Sequence, residues 1–229
     1  MNIENYNANH VLREINIEEF EFLKHNIEYV EFQPGPLSNQ RNPDIPYVYF
    51  VLSGIFAMTI QVDRQDTALV LLGHDSLIDC RVPLDNGLDV VKVTCLTKLT
   101  AYAMPASALT PLISKAPGLI KGLSMAIRNL FMKMARATAC IQIHSSHQRL
   151  AKWLLRASDL TESQRLEISH QALAQLLGIR RVGVTLEMGK LKAENAITTG
   201  YGWIEVKDRN VLEQHACSCY RASSIGLKP

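Results

Sequence analysis

The sequence has little of what would mark a membrane, secreted or disulfide-stapled protein. Its longest uncharged apolar run, residues 47–60, is interrupted by Ser53-Gly54 and falls short of the roughly 20 residues a membrane helix needs, so no span is expected. Residues 1–10 are polar and Asn-rich, with no apolar stretch after a basic patch, so no secretory signal is expected and a cytoplasmic location is. The five cysteines are odd in number and scattered apart from Cys217 and Cys219, and a chain of 229 residues needs no staples, so free thiols are expected. None precedes Cys80. No low-complexity tract or internal repeat occurs. Nor is there a nucleophile triad, a carboxylate pair, a phosphate-binding loop or a complete metal-ligand set at motif spacing, so the chain is not expected to be an enzyme. Acidic residues are missing altogether between Asp89 and Asp159.

What is present is the composition of a folded protein, 47% apolar and 20% charged, at a length that suits two domains. The charge is uneven. Residues 1–144 carry 12 basic and 14 acidic side chains, whereas residues 145–229 carry 12 and 8, so the second part is positive and suited to a polyanion.

Period two dominates the first part. After a short helix at 17–25, strands are predicted at 47–52, 55–62, 67–72, 90–95 and 99–104, divided by turn signals at 53–54, 63–66, 73–75, 85–87 and 97–98. That spacing reads as a β-barrel or roll, and Gln33-Pro34-Gly35-Pro36 as a turn before the strands begin. From Ser107 the period changes. Pro111 and Pro117 bracket a short turn, and a helix over about 117–143 follows, in which Ile120, Leu123, Ile127, Leu130, Met134, Ala137 and Ile141 alternate at steps of three and four. This is the seam of a dimerising helix pair, although the flanking Phe131, Thr138, Lys133 and Cys140 are not paired charges. Phe131 could alternatively dock on the β region, and a single helix packed on its own domain remains the plainer reading.

Ser145-Ser146 then forms a hinge or cap before a helix at 148–157. Strand 166–168, helix 169–177, helix 180–194 and a hairpin at 196–206 around Gly200-Tyr201-Gly202 complete a helical module with a wing. Within it, Ser169 caps the first helix, Leu173, Leu176 and Leu177 face inward, and Gly178 supplies a left-handed turn. Ile179 fills the angle, and Val184, Met188 and Leu191 bury the second helix. Arg180, Arg181, Val182, Gly183 and Thr185 stay outward, which is the layout of a helix-turn-helix presenting the start of its second helix to the major groove. Arginine suits that position because its planar fork meets guanine O6 and N7 together.

The segments 47–54, 150–155 and 173–181, with the tail 212–220 containing Cys217-Ser218-Cys219-Tyr220, resemble the Crp/Fnr family of bacterial transcription regulators over nearly the whole length. The resemblance implies an α+β chain: an N-terminal β-roll, jelly-roll-like and similar to cyclic-nucleotide-binding domains, with a long dimerisation helix (residues 1–144), then a C-terminal winged helix-turn-helix (145–229). It implies a homodimer on a palindromic operator in double-stranded DNA, and RNA polymerase as a further partner if binding activates. Arg181 falls at the family's base-reading arginine, and Gln171 and Arg180 at flanking or backbone contacts. Ser169, His170, Thr185 and Lys190 complete the expected DNA face. Where many members have Glu and then Ser or Thr, this chain has Val182 and Gly183, so a different half-site is expected. The alternative is a ligand-binding or interaction module that has lost sequence-specific DNA binding.

The resemblance also locates the effector pocket. Residues 72–76 and 87–91 occupy the cyclic-nucleotide positions but supply no phosphate-clamping arginine, Asp89 would repel the phosphate, and Arg81 is the one arginine between them. Cyclic AMP is therefore unexpected. So is an iron–sulfur cluster, given the missing N-terminal cysteines, and so is haem, for which His25, His74 and Cys80 are the isolated candidates. His144 and His147 read as a polar helix end, and Cys217 and Cys219, with only His215 nearby in sequence, do not complete a tetrahedral set, so no metal is expected, while a redox role for the two thiols is open. The effector is unknown.

Overall fold

The structure is a computed structural model that describes residues 3–40, 46–63, 65–78 and 91–224. The chain divides into two compact units, one of residues 1–58 and 72–132, the other of residues 59–71 and 133–229. The second unit includes the last turns of the long helix together with residues 59–71.

The first unit opens with two 3₁₀ turns, Ile3–Ala8 and Leu12–Glu14, and helix α1 (Ile17–Leu23). Helix α1 starts where it does because Asn16 and Glu19 form a capping box, each side chain accepting the other's backbone N–H. Along the chain there follow strands β1 (Glu28–Phe32), β2 (Gly35–Pro36), β3 (Tyr47–Ser53), β4 (Phe56–Val62), β5 (Gln65–Leu72), β6 (Leu77–Ile78), β7 (Val91–Cys95) and β8 (Leu99–Pro105), with a 3₁₀ turn at Leu37–Asn39; residues 59–71 of β4 and β5 are the part grouped with the second unit. They form two four-stranded sheets, ordered β1-β8-β3-β6 and β2-β7-β4-β5. This is the expected β-roll. Val48, Phe50 and Leu52 alternate onto one face of β3 and join Tyr102, Met104, Leu77, Phe20, Leu23, Leu109 and Leu119 in the core. The intervening Tyr49 and Val51 are buried too, so β3 is an interior strand.

Two local expectations are corrected. Gly35 and Pro36 are not merely a turn before the sheet, because β1 precedes them and they pair with Cys95 and Thr94. The segment before Pro117 is helix α2 (Ala106–Ile113), which holds Pro111 inside it. The predicted turn at 85–87 lies outside the described residues.

Helix α3 (Pro117–Ile143) runs for 27 residues, a rise of about 40 Å. Its first turns meet the N-terminal segment closely. A Cβ on Gly118 would fall 2.3 Å from the Glu14 carbonyl oxygen, and one on Gly122 2.6 Å from that of Val11, so only glycine fits either place.

The second unit contains helix α4 (Ser146–Thr161), strand β9 (Arg165–Glu167), helices α5 (His170–Leu177) and α6 (Arg181–Ala193), strands β10 (Ile197–Gly200) and β11 (Trp203–Val206), and helices α7 (Arg209–His215) and α8 (Cys219–Ser224). The sheet order is β10-β11-β9, all antiparallel. Leu150, Leu154, Leu173, Val184, Met188, Leu191, Ile204 and Leu212 are each completely or almost completely buried and form its core. Among the described residues no helix is long and apolar enough to cross a membrane.

Candidate nucleic-acid interface

The interface is assembled by three sequence-encoded stops. Ser169 accepts the Ala172 backbone N–H at 3.1 Å and starts α5. Gly178 ends it at φ 62° and ψ 39°, the left-handed conformation in which its N–H reaches back to the carbonyls of Ala174 and Gln175. Two residues later α6 begins after Arg180, whose extended backbone carries no side-chain cap. The first amides of α6 consequently lack partners inside the helix and point outward, where an anion can take them.

Burial sorts α6 by face. Val184, Met188 and Leu191 are inside, while Arg180, Arg181, Thr185 and Val182, the last 69% exposed, face solvent. No acidic side chain pairs with either arginine among the described residues. Gly183 is half-buried, and a Cβ there would sit 3.8 Å from the Ile179 side chain, an ordinary contact. Ile179 itself is half-buried between the helices, and Leu176 is half-buried rather than fully inside.

Thr185 is held in place. Its hydroxyl donates to the Arg181 carbonyl at 3.2 Å and lies 3.1 Å from His170 Nδ1, which links the outer faces of α5 and α6. Gln171 is exposed beside them. Lys190 lies farther along α6 and forms an ion pair with Glu187 at 2.9 Å, so its charge is partly spent within the protein. Burial pushes the Glu187 carboxyl upward, but hydrogen bonds from Lys190 and His147 outweigh it, and the pKa ends below the ordinary glutamate value.

The wing adds a residue that the sequence pattern did not single out. Tyr201 stands fully exposed at the tip of the β10–β11 hairpin, beside Gly202 at φ 76°. Next to the turn the hairpin is stiffened by Arg165, whose guanidinium lies 4.3 Å from the ring centre of Trp203, the residue that pairs with Gly200. An exposed aromatic flanked by glycines was the available signal.

Along α3 the seam positions divide. Ile120, Ile127 and Ile141 are exposed, Leu130, Met134 and Ala137 are half-buried, and Leu123 packs against the first unit's core. Phe131 is 70% exposed. An apolar stripe of this extent on one helix is surface that water disfavours.

In the first unit, the backbone at residues 74 and 76, within the segment that the resemblance assigned to a nucleotide, is engaged by the chain itself. The buried Asn9 amide donates to the carbonyls of Val51, His74 and Ser76 at 2.9, 3.2 and 3.0 Å, and its oxygen accepts from Val11 N–H. The His10 and His74 rings meet edge-on, with centres 5.6 Å apart. Cys80, Arg81 and Asp89, which entered the effector and haem readings, lie outside the described residues.

Comparison with known proteins gives this geometry a context. Residues 148–215 match the Crp-like helix-turn-helix domain family. The chain is 23% identical over 202 residues to the HTH-type transcriptional regulator Cmr of Mycobacterium tuberculosis, covering 85% of this chain and 78% of that protein. Its fold is similar to that of a Crp/Fnr family transcriptional regulator from Eubacterium rectale, with a TM-score of 0.67, 16% identity and coverage of 91% and 98%. It is equally similar to FixK2 from Bradyrhizobium japonicum, with a TM-score of 0.67, 13% identity and coverage of 84% and 98%.

Proposed function

We propose that the chain, a transcription regulator of the Crp/Fnr type, binds a palindromic DNA operator as a homodimer and reads base edges with Arg181. The observation that carries this reading is the start of α6, where Arg180 and Arg181 stand exposed beside uncapped backbone amides. Arg181 is assigned to a guanine and Arg180, with those amides, to the phosphates that fix the register. Thr185, held by His170, meets a thymine methyl or a phosphate one turn on, and Ser169 and Gln171 flank the contact. Tyr201 reaches the backbone from the wing. Val182 gives an apolar surface where relatives offer a carboxylate acceptor, so the half-site differs from theirs.

The apolar stripe of α3, with Ile120, Ile127 and Ile141 exposed and Met134 half-buried, is the surface that pairs the two copies. A two-fold dimer must present its recognition helices about one DNA turn apart, roughly 34 Å, so a small change at the Ser145 hinge alters affinity. The Asn9 contacts support an effector pocket that no longer takes a cyclic nucleotide. Regulation then comes from another ligand or from the abundance of the protein.

A gel-shift assay of the purified chain against genomic fragments at moderate salt tests the reading. Discrete complexes that survive excess competitor DNA are expected. If no specific complex forms, with or without a small-molecule extract of the cells, the chain is an interaction module that has lost DNA reading.

A further inference from the structure

We propose that Cys140, His144, Cys217 and Cys219 form a zinc site that clamps the end of α3 to the tail after α7. Cys140 and His144 are four residues apart, so both lie on one face of the last helical turns. Cys217 precedes α8 and Cys219 is its first residue, more than seventy residues away, and yet the four ligand atoms all lie within 4.8 Å of one another.

Two of the spacings are already those of a tetrahedron, and the rest lie within 4.8 Å. A zinc ion bound by sulfur at about 2.3 Å and nitrogen at about 2.0–2.1 Å sets neighbouring ligand atoms about 3.6–3.8 Å apart. Cys140 Sγ and Cys217 Sγ are 3.6 Å apart, and Cys219 Sγ is 3.8 Å from His144 Nδ1. Three sulfurs and one imidazole nitrogen are a donor set suited to a structural zinc, which takes four protein ligands and leaves no open position.

The surroundings suit the charge. Three thiolates and a neutral imidazole on Zn²⁺ leave one net negative charge, and the Lys152 ammonium lies 3.1 Å from Cys140 Sγ. Lys133 and Arg136 line the cavity beside the cysteines. A purely apolar thiol cluster would gain nothing from gathering an imidazole and an ammonium around it. Cys217 and Cys219 have no completing ligands near them in the sequence because their partners, Cys140 and His144, come from the end of α3.

The clamp spans the hinge. Ser145 separates α3 from α4, while the tail holds to α4 through Tyr220, whose hydroxyl donates to Asp159 at 2.8 Å. Zinc binding therefore fixes the end of α3 against the module that carries α5 and α6.

The full-length chain, purified without chelators from zinc-supplemented cells, is assayed for metal content. About one zinc per chain is expected, retained in Cys95→Ala and lost from Cys217→Ser and Cys219→Ser. To separate loss of the site from loss of the fold, wild-type protein stripped of zinc is titrated with Co²⁺. A one-to-one endpoint is expected, with the visible bands of tetrahedral cobalt and a near-ultraviolet thiolate-to-cobalt band, all abolished by equimolar zinc. A wild-type chain that neither retains zinc nor gives those bands overturns the proposal, and so does zinc that persists in both Cys217→Ser and Cys219→Ser. Isolation of a Cys140–Cys217 disulfide from cells handled anaerobically also overturns it.

Discussion

Arg181 is the residue on which base recognition is assigned. Its removal should cost about 1–3 kcal/mol of operator affinity, roughly fivefold to 150-fold, and should relax the preference at one position of each half-site. Arg180→Ala should weaken all sequences nearly alike and lower the slope of log affinity against log salt by about one. Fluorescence anisotropy on operator and scrambled duplexes over a salt series separates the two. Equal losses with unchanged base preference would return Arg181 to a phosphate role. A second residue-scale effect concerns pH. The Glu187 pKa is lowered in the folded state by Lys190 and His147. A lowered carboxyl contributes stability that is complete above its unfolded value, about pH 4.3, and is lost as pH falls through the folded value. Thermal midpoints of Glu187→Gln should therefore lie below wild type at neutral pH and converge with it in acid. Curves that stay parallel down to pH 3 would contradict this.

At the scale of elements, helix ends account for most of what could be read in advance. Ser169 and Gly178 define α5 because a hydroxyl cap and a left-handed glycine are local chemistry, and local chemistry is written in neighbouring residues. Gly178→Ala tests this directly. Its Cβ would meet nothing within 4 Å, so the cost is backbone strain alone, about 1–2 kcal/mol, visible as a lower melting temperature without lost packing. No loss would mean that the turn does not require the left-handed conformation. The α3 stripe was legible for the same reason, being a period within one helix. Ile127→Glu and Ile141→Glu, both at exposed positions, should leave the fold intact and convert a dimer to a monomer by light scattering. Persistence of the dimer would place its interface elsewhere. Elements set by distant partners were hidden. Strand β1, Glu28–Phe32, carries a mostly exposed pattern that does not alternate, and it is a strand because β8 pairs with it. Helix α2 was masked by Pro111. Asn9 looked like one polar residue among several, yet it ties three carbonyls, and Cys140 and His144 reach Cys217 and Cys219 only through tertiary folding.

For the molecule as a whole, the uneven charge and the helix-turn-helix point to one partner. The net positive charge of residues 145–229 gathers around the module that presents Arg180 and Arg181, and a positive surface draws a polyanion before any base is read. Two copies joined along α3 would double that surface and impose two-fold symmetry on the site. The most direct test is selection of bound genomic DNA by the purified full-length chain. An inverted repeat is expected, with half-site centres about 10–10.5 base pairs apart or a multiple of that spacing. Enrichment of a single unrepeated motif would contradict the dimeric reading, and enrichment of nothing would contradict the assignment of α6 as a recognition helix.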